Sequence, residues 1–86
     1  MFMNIIINNY LKNITVEKAI LVAKQFSIDF SFNEMQTILP YMKNNWQGFL
    51  DENKKVFLLN DLTCKTNIET AKKTEALIDK LLIILS

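Results

Sequence analysis

The chain contains neither arginine nor histidine, and all ten of its basic residues are lysines. Without histidine, the usual general base and metal ligand are missing. Without arginine, there is no planar guanidinium group that could bind phosphate or guanine through two parallel hydrogen bonds. Nine acidic residues leave a net charge of +1, so the chain lacks the strong positive charge of most nucleic-acid-binding proteins.

Cysteine, glycine and proline each occur once. The single cysteine, Cys64, cannot form a disulfide within the chain and alone makes no metal site, which is typical of a reducing compartment. One glycine cannot build a phosphate-binding loop, and the carboxylates show no spacing that indicates an acid/base pair. We therefore predict a protein that is not an enzyme, with no cofactor, no metal and no small-molecule substrate.

Long hydrophobic runs are also missing. The longest, LLIIL at residues 81–85, is far shorter than the roughly 20 residues of a transmembrane helix. The N-terminus, MFMNIIINN, has no lysine before Lys12 and no small-residue cleavage site, so it does not resemble a signal peptide. The sequence predicts a cytoplasmic protein with no membrane association.

Hydrophobic residues nevertheless make up 50% of the 86 residues. This content, with so few turn residues, favours a few long helices over a sandwich of short strands. We predict one domain, residues 1–86, that is all-α: a small bundle of four to five helices with a helix-turn-helix-like corner. The apolar fraction is high for this size, so some apolar surface is expected to remain exposed for a partner.

Apolar residues at three- and four-residue spacing predict helices at 3–12, 16–27, 32–43, 51–63 and 67–85. Pro40 lies inside the third of these and is expected either to kink that helix or to end it near Leu39. The predicted buried residues of the last three helices are Met35, Ile38, Leu39 and Met42; then Val56, Leu59 and Leu62; then Ile68, Ala71, Thr74, Leu77, Ile78, Leu81, Leu82 and Leu85.

Helix starts are marked by capping residues. Ser31 and Glu34 have the S-x-x-E spacing of a capping box, in which each side chain satisfies a backbone amide of the first turn. Thr66 and Glu69 have the same spacing and predict a second box. Thr15 is the predicted N-cap of the helix at 16–27.

Residues 23–39 have the outline of a helix-turn-helix, and Ser27 lies near the turn position where glycine is usual. A DNA-reading second helix should present cationic side chains to the groove. Here Asp29 and Glu34 come first, and no lysine follows until Lys43. We therefore interpret this stretch as two core helices packed at a corner, and consider DNA reading the weaker alternative.

The polar loop at residues 43–55 contains Trp46 and Phe49. Both are candidate partner-binding residues, because aromatic residues concentrate binding energy at interfaces. The favoured alternative is that both fold back over the core, since so small a domain needs its large aromatic side chains.

The C-terminal helix ends in a turn that is apolar on every side. Its inward stripe leaves Ile83 and Ile84 facing away, so both are candidate partner-binding residues, for a protein partner or a homodimer formed through this helix. The alternative is that Ile5, Ile6 and Ile7 of the N-terminal helix cover them.

A second function class is a nucleic-acid-associated accessory protein. It would use Lys43, Lys54 and Lys55, or the lysine-rich side of the last helix around Lys72 and Lys73. The neutral net charge and the acidic residues between these lysines favour an ordinary solvated surface instead. The favoured function is thus a protein-binding or self-associating module without catalytic activity.

The stretches LKNITVEKAILVAKQFSI and TNIETAKKTEALIDKL resemble a family of small uncharacterised proteins from low-GC Gram-positive bacteria, classified only as a domain of unknown function. The resemblance covers roughly residues 8–82. The shared features are the chain length, the Asn-Ile-Thr sequence before a lysine-rich helix and the start of the final helix. The loop at 46–48 and the final LLIILS are less typical of it. The resemblance implies a cytosolic helical protein and no catalytic residues.

Overall fold

The computed structural model describes residues 9–85, and within that range the chain forms helices and no strands. The helix predicted at 3–12 begins outside these residues; its described part, α1, covers residues 9–13. The other elements are α2 (Val16–Gln25), α3 (Phe32–Asn45), a 3₁₀ turn (Gly48–Leu50), α4 (Glu52–Lys65) and α5 (Ile68–Leu85). The prediction of an all-α bundle is confirmed.

The corner between α2 and α3 is defined by backbone and side-chain caps at both ends. Thr15 caps the start of α2, where its hydroxyl accepts a hydrogen bond from the Lys18 amide. At the end of α2, the amides of Ser27 and Ile28 donate to the carbonyls of Lys24 and Ala23, the Schellman pattern. Ser27 has a φ of 63°, so the chain reverses through a left-handed residue.

Helix α3 begins at the predicted capping box. The Glu34 amide donates to the Ser31 hydroxyl and the Ser31 amide donates to the Glu34 carboxylate. Pro40 does not end the helix near Leu39, because α3 continues to Asn45. Pro40 is exposed, and the buried side chains on either side of it hold the helix against the core. The predicted buried face is confirmed: Met35, Ile38, Leu39 and Met42.

The 3₁₀ turn packs closely on α4 and explains the position of the only glycine. A Cβ atom at Gly48 would lie 2.6 Å from Cδ1 of Leu58. A side chain at this position would therefore force the end of the Leu58 side chain to move. Gly48 and Leu58 line the same groove as Phe57.

Helix α5 does not start as predicted. Asn67, rather than Thr66, caps it, because the Asn67 side-chain oxygen accepts from the Thr70 amide at 2.8 Å. The Thr66 hydroxyl instead donates to the Leu62 carbonyl at 2.7 Å and satisfies the end of α4. The predicted capping box of Thr66 and Glu69 is therefore wrong. Thr66 thus caps the end of α4, and Asn67 caps the start of α5.

The core lies between α2, α3, α4 and α5, and the buried side chains form one main cluster. A smaller cluster of Leu11 and Trp46 packs against Tyr10 and Leu82, so the described part of α1 contacts the C-terminal half of α5. Two residues predicted to be buried are exposed instead, Val56 on α4 and Ile68 on α5. The main cluster contains Ile14, Ala19, Ala23, Phe30, Met35, Ile38, Leu39, Met42, Phe49, Leu62, Ala71, Leu77, Ile78 and Leu81.

Candidate interaction surface

Several charged residues bond to other parts of the same chain. Lys73 of α5 lies 2.9 Å from the Glu34 carboxylate and donates to the Asp29 carbonyl at 2.8 Å. The Thr70 hydroxyl donates to the same carboxylate at 2.8 Å. The backbone hydrogen bond from Ser31, together with those from Lys73 and Thr70 and the Lys73 charge, outweighs burial and lowers the pKa of Glu34 to about 2. Glu34 therefore joins the corner to α5 and does not face outward from α3.

A second group joins α3 to α4. The Tyr41 hydroxyl donates to the Asp61 carboxylate at 2.8 Å, and Lys65 lies 3.3 Å from the same carboxylate. Burial and the Asp61 carboxylate raise the pKa of Tyr41 to about 12. The hydrogen bond from Tyr41, with help from Lys65, lowers the pKa of Asp61. Asp61 therefore stays charged at the side of α4.

Two of the lysines proposed for nucleic-acid contact also bond within the chain. Lys43 donates to the Ile14 carbonyl at 3.1 Å. Lys55 lies 3.3 Å from Glu75 and 3.1 Å from Asp79 of α5. Burial disfavours the charged form of Lys55, but these two carboxylates outweigh it and raise the pKa of the lysine.

Trp46 and Phe49, the aromatic candidates of the polar loop, lie in the interior. Their exposed fractions are 7% and 3%. Trp46 packs with Leu11, and Phe49 meets the Tyr41 ring edge-on at a centroid distance of 6.4 Å. In this conformation both stabilise the chain's own core, and neither offers its side chain to a partner.

The other two candidates, Ile83 and Ile84, are exposed. Their exposed fractions are 70% and 60%, whereas Leu81 beside them is buried. The end of α5 therefore carries apolar surface on the side away from the core. Ile5, Ile6 and Ile7, which the alternative interpretation placed over these residues, lie outside the described residues.

Helix α4 also carries two adjacent exposed apolar side chains. Phe57 is 71% exposed and Val56 is 61% exposed. They belong to the outer α4 face, which we define as Asn53, Val56, Phe57, Asn60 and Cys64. All five residues are exposed and none is charged. Solvent-facing helix sides usually carry charged or polar residues, so Val56 and Phe57 are the unusual residues of this face.

A groove of about 520 Å³ lies beside this face, between the end of α3 and α4. Its lining includes Lys43, Trp46, Gly48, Lys54 and Phe57. Phe57 supplies the exposed aromatic surface of the groove, and the side chains of Lys43 and Lys54 also line it. The groove extends the accessible surface around Phe57 toward the end of α3.

The described residues contain no group of three His, Cys, Asp or Glu side chains that could hold a metal ion. In the same part of the chain, every helix is too short or too polar to cross a membrane.

Comparison with known proteins places the chain in a family. A family model described as "Protein of unknown function (DUF2624)" matches residues 1–82. The chain belongs to this family. No curated protein and no solved structure matches it.

Sequence reasoning missed the outer α4 face of this DUF2624 protein. Periodicity predicts Val56 on the buried side, and Phe57 is not among the residues predicted to contact a partner. The signal was present in the spacing of Asn53, Phe57, Asn60 and Cys64, which places four uncharged residues on one side of a helix. Only the packing of α4 shows that this side faces solvent.

Proposed function

We propose that this protein is a small helical module that binds a protein partner or a second copy of itself and has no catalytic activity. The observation that carries the proposal is the exposure of two pairs of adjacent large apolar side chains, Val56 and Phe57 on α4 and Ile83 and Ile84 on α5. From the sequence and the family resemblance, we further infer a cytoplasmic protein of low-GC Gram-positive bacteria.

Burial of these side chains is the driving force for the proposed binding. Moving one large apolar side chain from water into an interface contributes roughly 1.5–3 kcal/mol. Contiguous exposed apolar surface commonly marks an interaction site. The C-terminal helix remains a proposed surface for a homodimer or a protein partner, because Ile83 and Ile84 lie side by side at its end.

The alternative, a nucleic-acid accessory protein, receives less support from the lysines. Lys43, Lys55 and Lys73 are directed toward carbonyl or carboxylate groups of the same chain. Their charges are thus partly compensated before any phosphate approaches. The net charge of +1 adds to this argument.

Two serine variants test the proposal, Val56→Ser/Phe57→Ser and Ile83→Ser/Ile84→Ser. Self-association is measured by sedimentation over a concentration series, and binding of cell proteins by quantitative affinity capture. We expect at least one variant to lose self-association or a captured protein while its thermal unfolding changes little, because exposed substitutions usually alter stability by no more than about 0.5 kcal/mol.

The matched control is Leu21→Ser, which removes one exposed apolar side chain from α2, and it should retain both properties. The proposal is contradicted if the wild-type chain binds nothing in either assay and both serine variants only lose thermal stability. That result would show that the two patches contribute to folding alone.

A further inference from the structure

The outer α4 face has the residue spacing of a helix–helix seam. Asn53, Phe57, Asn60 and Cys64 follow one another at intervals of four, three and four residues. This alternation is the spacing of the two core positions in a coiled-coil heptad. All four are exposed and uncharged, so α4 carries a seam that the chain's own helices do not cover.

The two sides of this seam differ in charge. At 100° per residue, Lys54 and Asp61 lie on one side, seven residues apart. Val56 and Thr63 lie on the other side, also seven residues apart, and carry no charge. The positions next to the seam therefore hold a cation and an anion two turns apart on one side and no charge on the other, while the exposed Glu52 and Lys65 lie further round the helix.

From this pattern we infer that a second copy of the chain packs on the outer α4 face, with the two α4 helices antiparallel about a two-fold axis between Leu58 and Leu59. The inference deepens the proposed function and rests on it. In this arrangement Asn53 lies opposite the partner's Cys64, and Phe57 lies opposite the partner's Asn60.

Charge complementarity selects a second copy in this direction. A two-fold axis perpendicular to antiparallel helices keeps each flank on its own side, so Lys54 meets the partner's Asp61 twice in the dimer. The two residues are offset by only about 3 Å along the helix axis, at 1.5 Å per residue. A parallel pair would instead place the charged flank against Val56 and Thr63.

Asp61 on this flank contacts other residues of its own chain but remains accessible to a partner. The Asp61 carboxylate is held by the Tyr41 hydroxyl and Lys65, yet its side chain remains 38% exposed. Lys54 and Phe57 both line the groove at the end of α3, which leaves room beside the seam for side chains of the partner.

The first test is sedimentation of the wild-type chain, Phe57→Ser and Lys54→Glu over a concentration series. We expect a reversible dimer whose dissociation constant rises about tenfold or more in Phe57→Ser, the loss of about 1.4 kcal/mol. Lys54→Glu should also weaken the dimer, because two carboxylates then face each other. Lys18→Glu, with the same charge change on α2, is the matched control and should dimerise normally.

The second test uses a disulfide cross-link to determine whether the two α4 helices are antiparallel. In Asn53→Cys, mild oxidation should join the introduced thiol to the partner's Cys64, and peptide mapping should find this heterologous disulfide. The wild-type chain should not be trapped through Cys64 alone, because the two Cys64 residues lie about 16 Å apart along the axis in an antiparallel pair.

The outcomes separate this inference from the proposed function. Dimerisation that Phe57→Ser does not weaken, or that gives only disulfides between identical positions, overturns the α4 pairing and leaves self-association through another surface. A wild-type chain that is monomeric at every concentration also overturns it, while capture of a partner through Phe57 would retain the binding function. A heterologous disulfide together with a weakened Phe57→Ser dimer supports it.

Discussion

Ser27 is the residue at which the chain changes direction between α2 and α3. Its φ of 63° is left-handed, which costs a residue with a Cβ atom roughly 1–2 kcal/mol. The two Schellman hydrogen bonds at the end of α2 offset this cost. Glycine is the residue that normally occupies this position because it has no such penalty.

Ser27→Gly should therefore stabilise the protein by about 1 kcal/mol, measured by urea unfolding. Ser27→Ala keeps the Cβ atom and serves as the control, with no comparable gain expected. A glycine variant no more stable than the alanine variant would show that the left-handed conformation at this residue carries no strain.

Glu34 makes the stability of the protein depend on pH. Its pKa is lowered from 4.5 to about 2 in the folded chain, chiefly by the Ser31 amide and with help from Lys73 and Thr70. A lowered carboxyl pKa adds stability above the unfolded pKa, and that stability is lost as pH falls through the folded value. The loss should thus begin near pH 4.5 and continue toward pH 2.

We expect Glu34→Gln to reduce the free energy of unfolding at neutral pH by about 1–3 kcal/mol, because charge-assisted hydrogen bonds are lost. The variant should also lose stability less steeply than the wild type on acidification. Urea unfolding at a series of pH values measures both effects, with Glu17→Gln as an exposed control. Equal acid dependence in wild type and Glu34→Gln would contradict this account.

At the scale of elements, the short connection between α4 and α5 depends on Asn67. Asn67→Ala should destabilise the protein by about 1 kcal/mol because the Thr70 amide loses its acceptor. Asn67→Asp should retain most of the stability, since aspartate is an equally good N-cap. Thermal unfolding measures the change, and equal stability of all three proteins would show that Asn67 is not the effective cap.

The sequence predicted α3 better than α4 for a physical reason. In α3, the apolar residues Met35, Ile38, Leu39 and Met42 all lie on one side of the helix, so periodicity identifies the buried face. Helix α4 carries apolar residues on two sides, with Leu62 inward and Phe57 outward. Periodicity alone cannot decide which side packs, and the outer α4 face became visible only in the folded chain.

The two helix N-caps also differed in how well the sequence predicted them. The Ser31 box was predictable because serine and glutamate stand at the required spacing and nothing nearby competes. At the start of α5, Thr66 and Asn67 are both good cap formers, and the choice depends on the Leu62 carbonyl, which accepts from the Thr66 hydroxyl. That contact comes from the end of the preceding helix and is not encoded in the spacing around α5.

At the scale of the whole molecule, we expect duplex DNA to be a poor ligand because of the charge distribution. The net charge is only +1, and Lys43, Lys55 and Lys73 bond to other groups of the chain. We therefore expect few counterions to be released from DNA when the protein binds. We expect fluorescence anisotropy to show weak, sequence-independent binding that disappears as salt is raised. Tight, salt-resistant and sequence-dependent binding would favour the nucleic-acid alternative.

The same charge balance suits association between copies. With ten lysines against nine acidic residues, two copies repel each other only weakly, and apolar burial can decide whether they meet. The outer α4 face and the end of α5 supply that apolar surface on different helices. We propose that copies of this chain associate through these exposed apolar residues, chiefly through the outer α4 face.

Amide chemical shifts of the wild-type chain, recorded by NMR over a concentration series, test this claim most directly. We expect the amides of Asn53, Phe57, Asn60 and Cys64 to shift together as concentration rises, while those of the exposed side of α2 stay constant. Shifts that are independent of concentration along the whole of α4 would contradict the account.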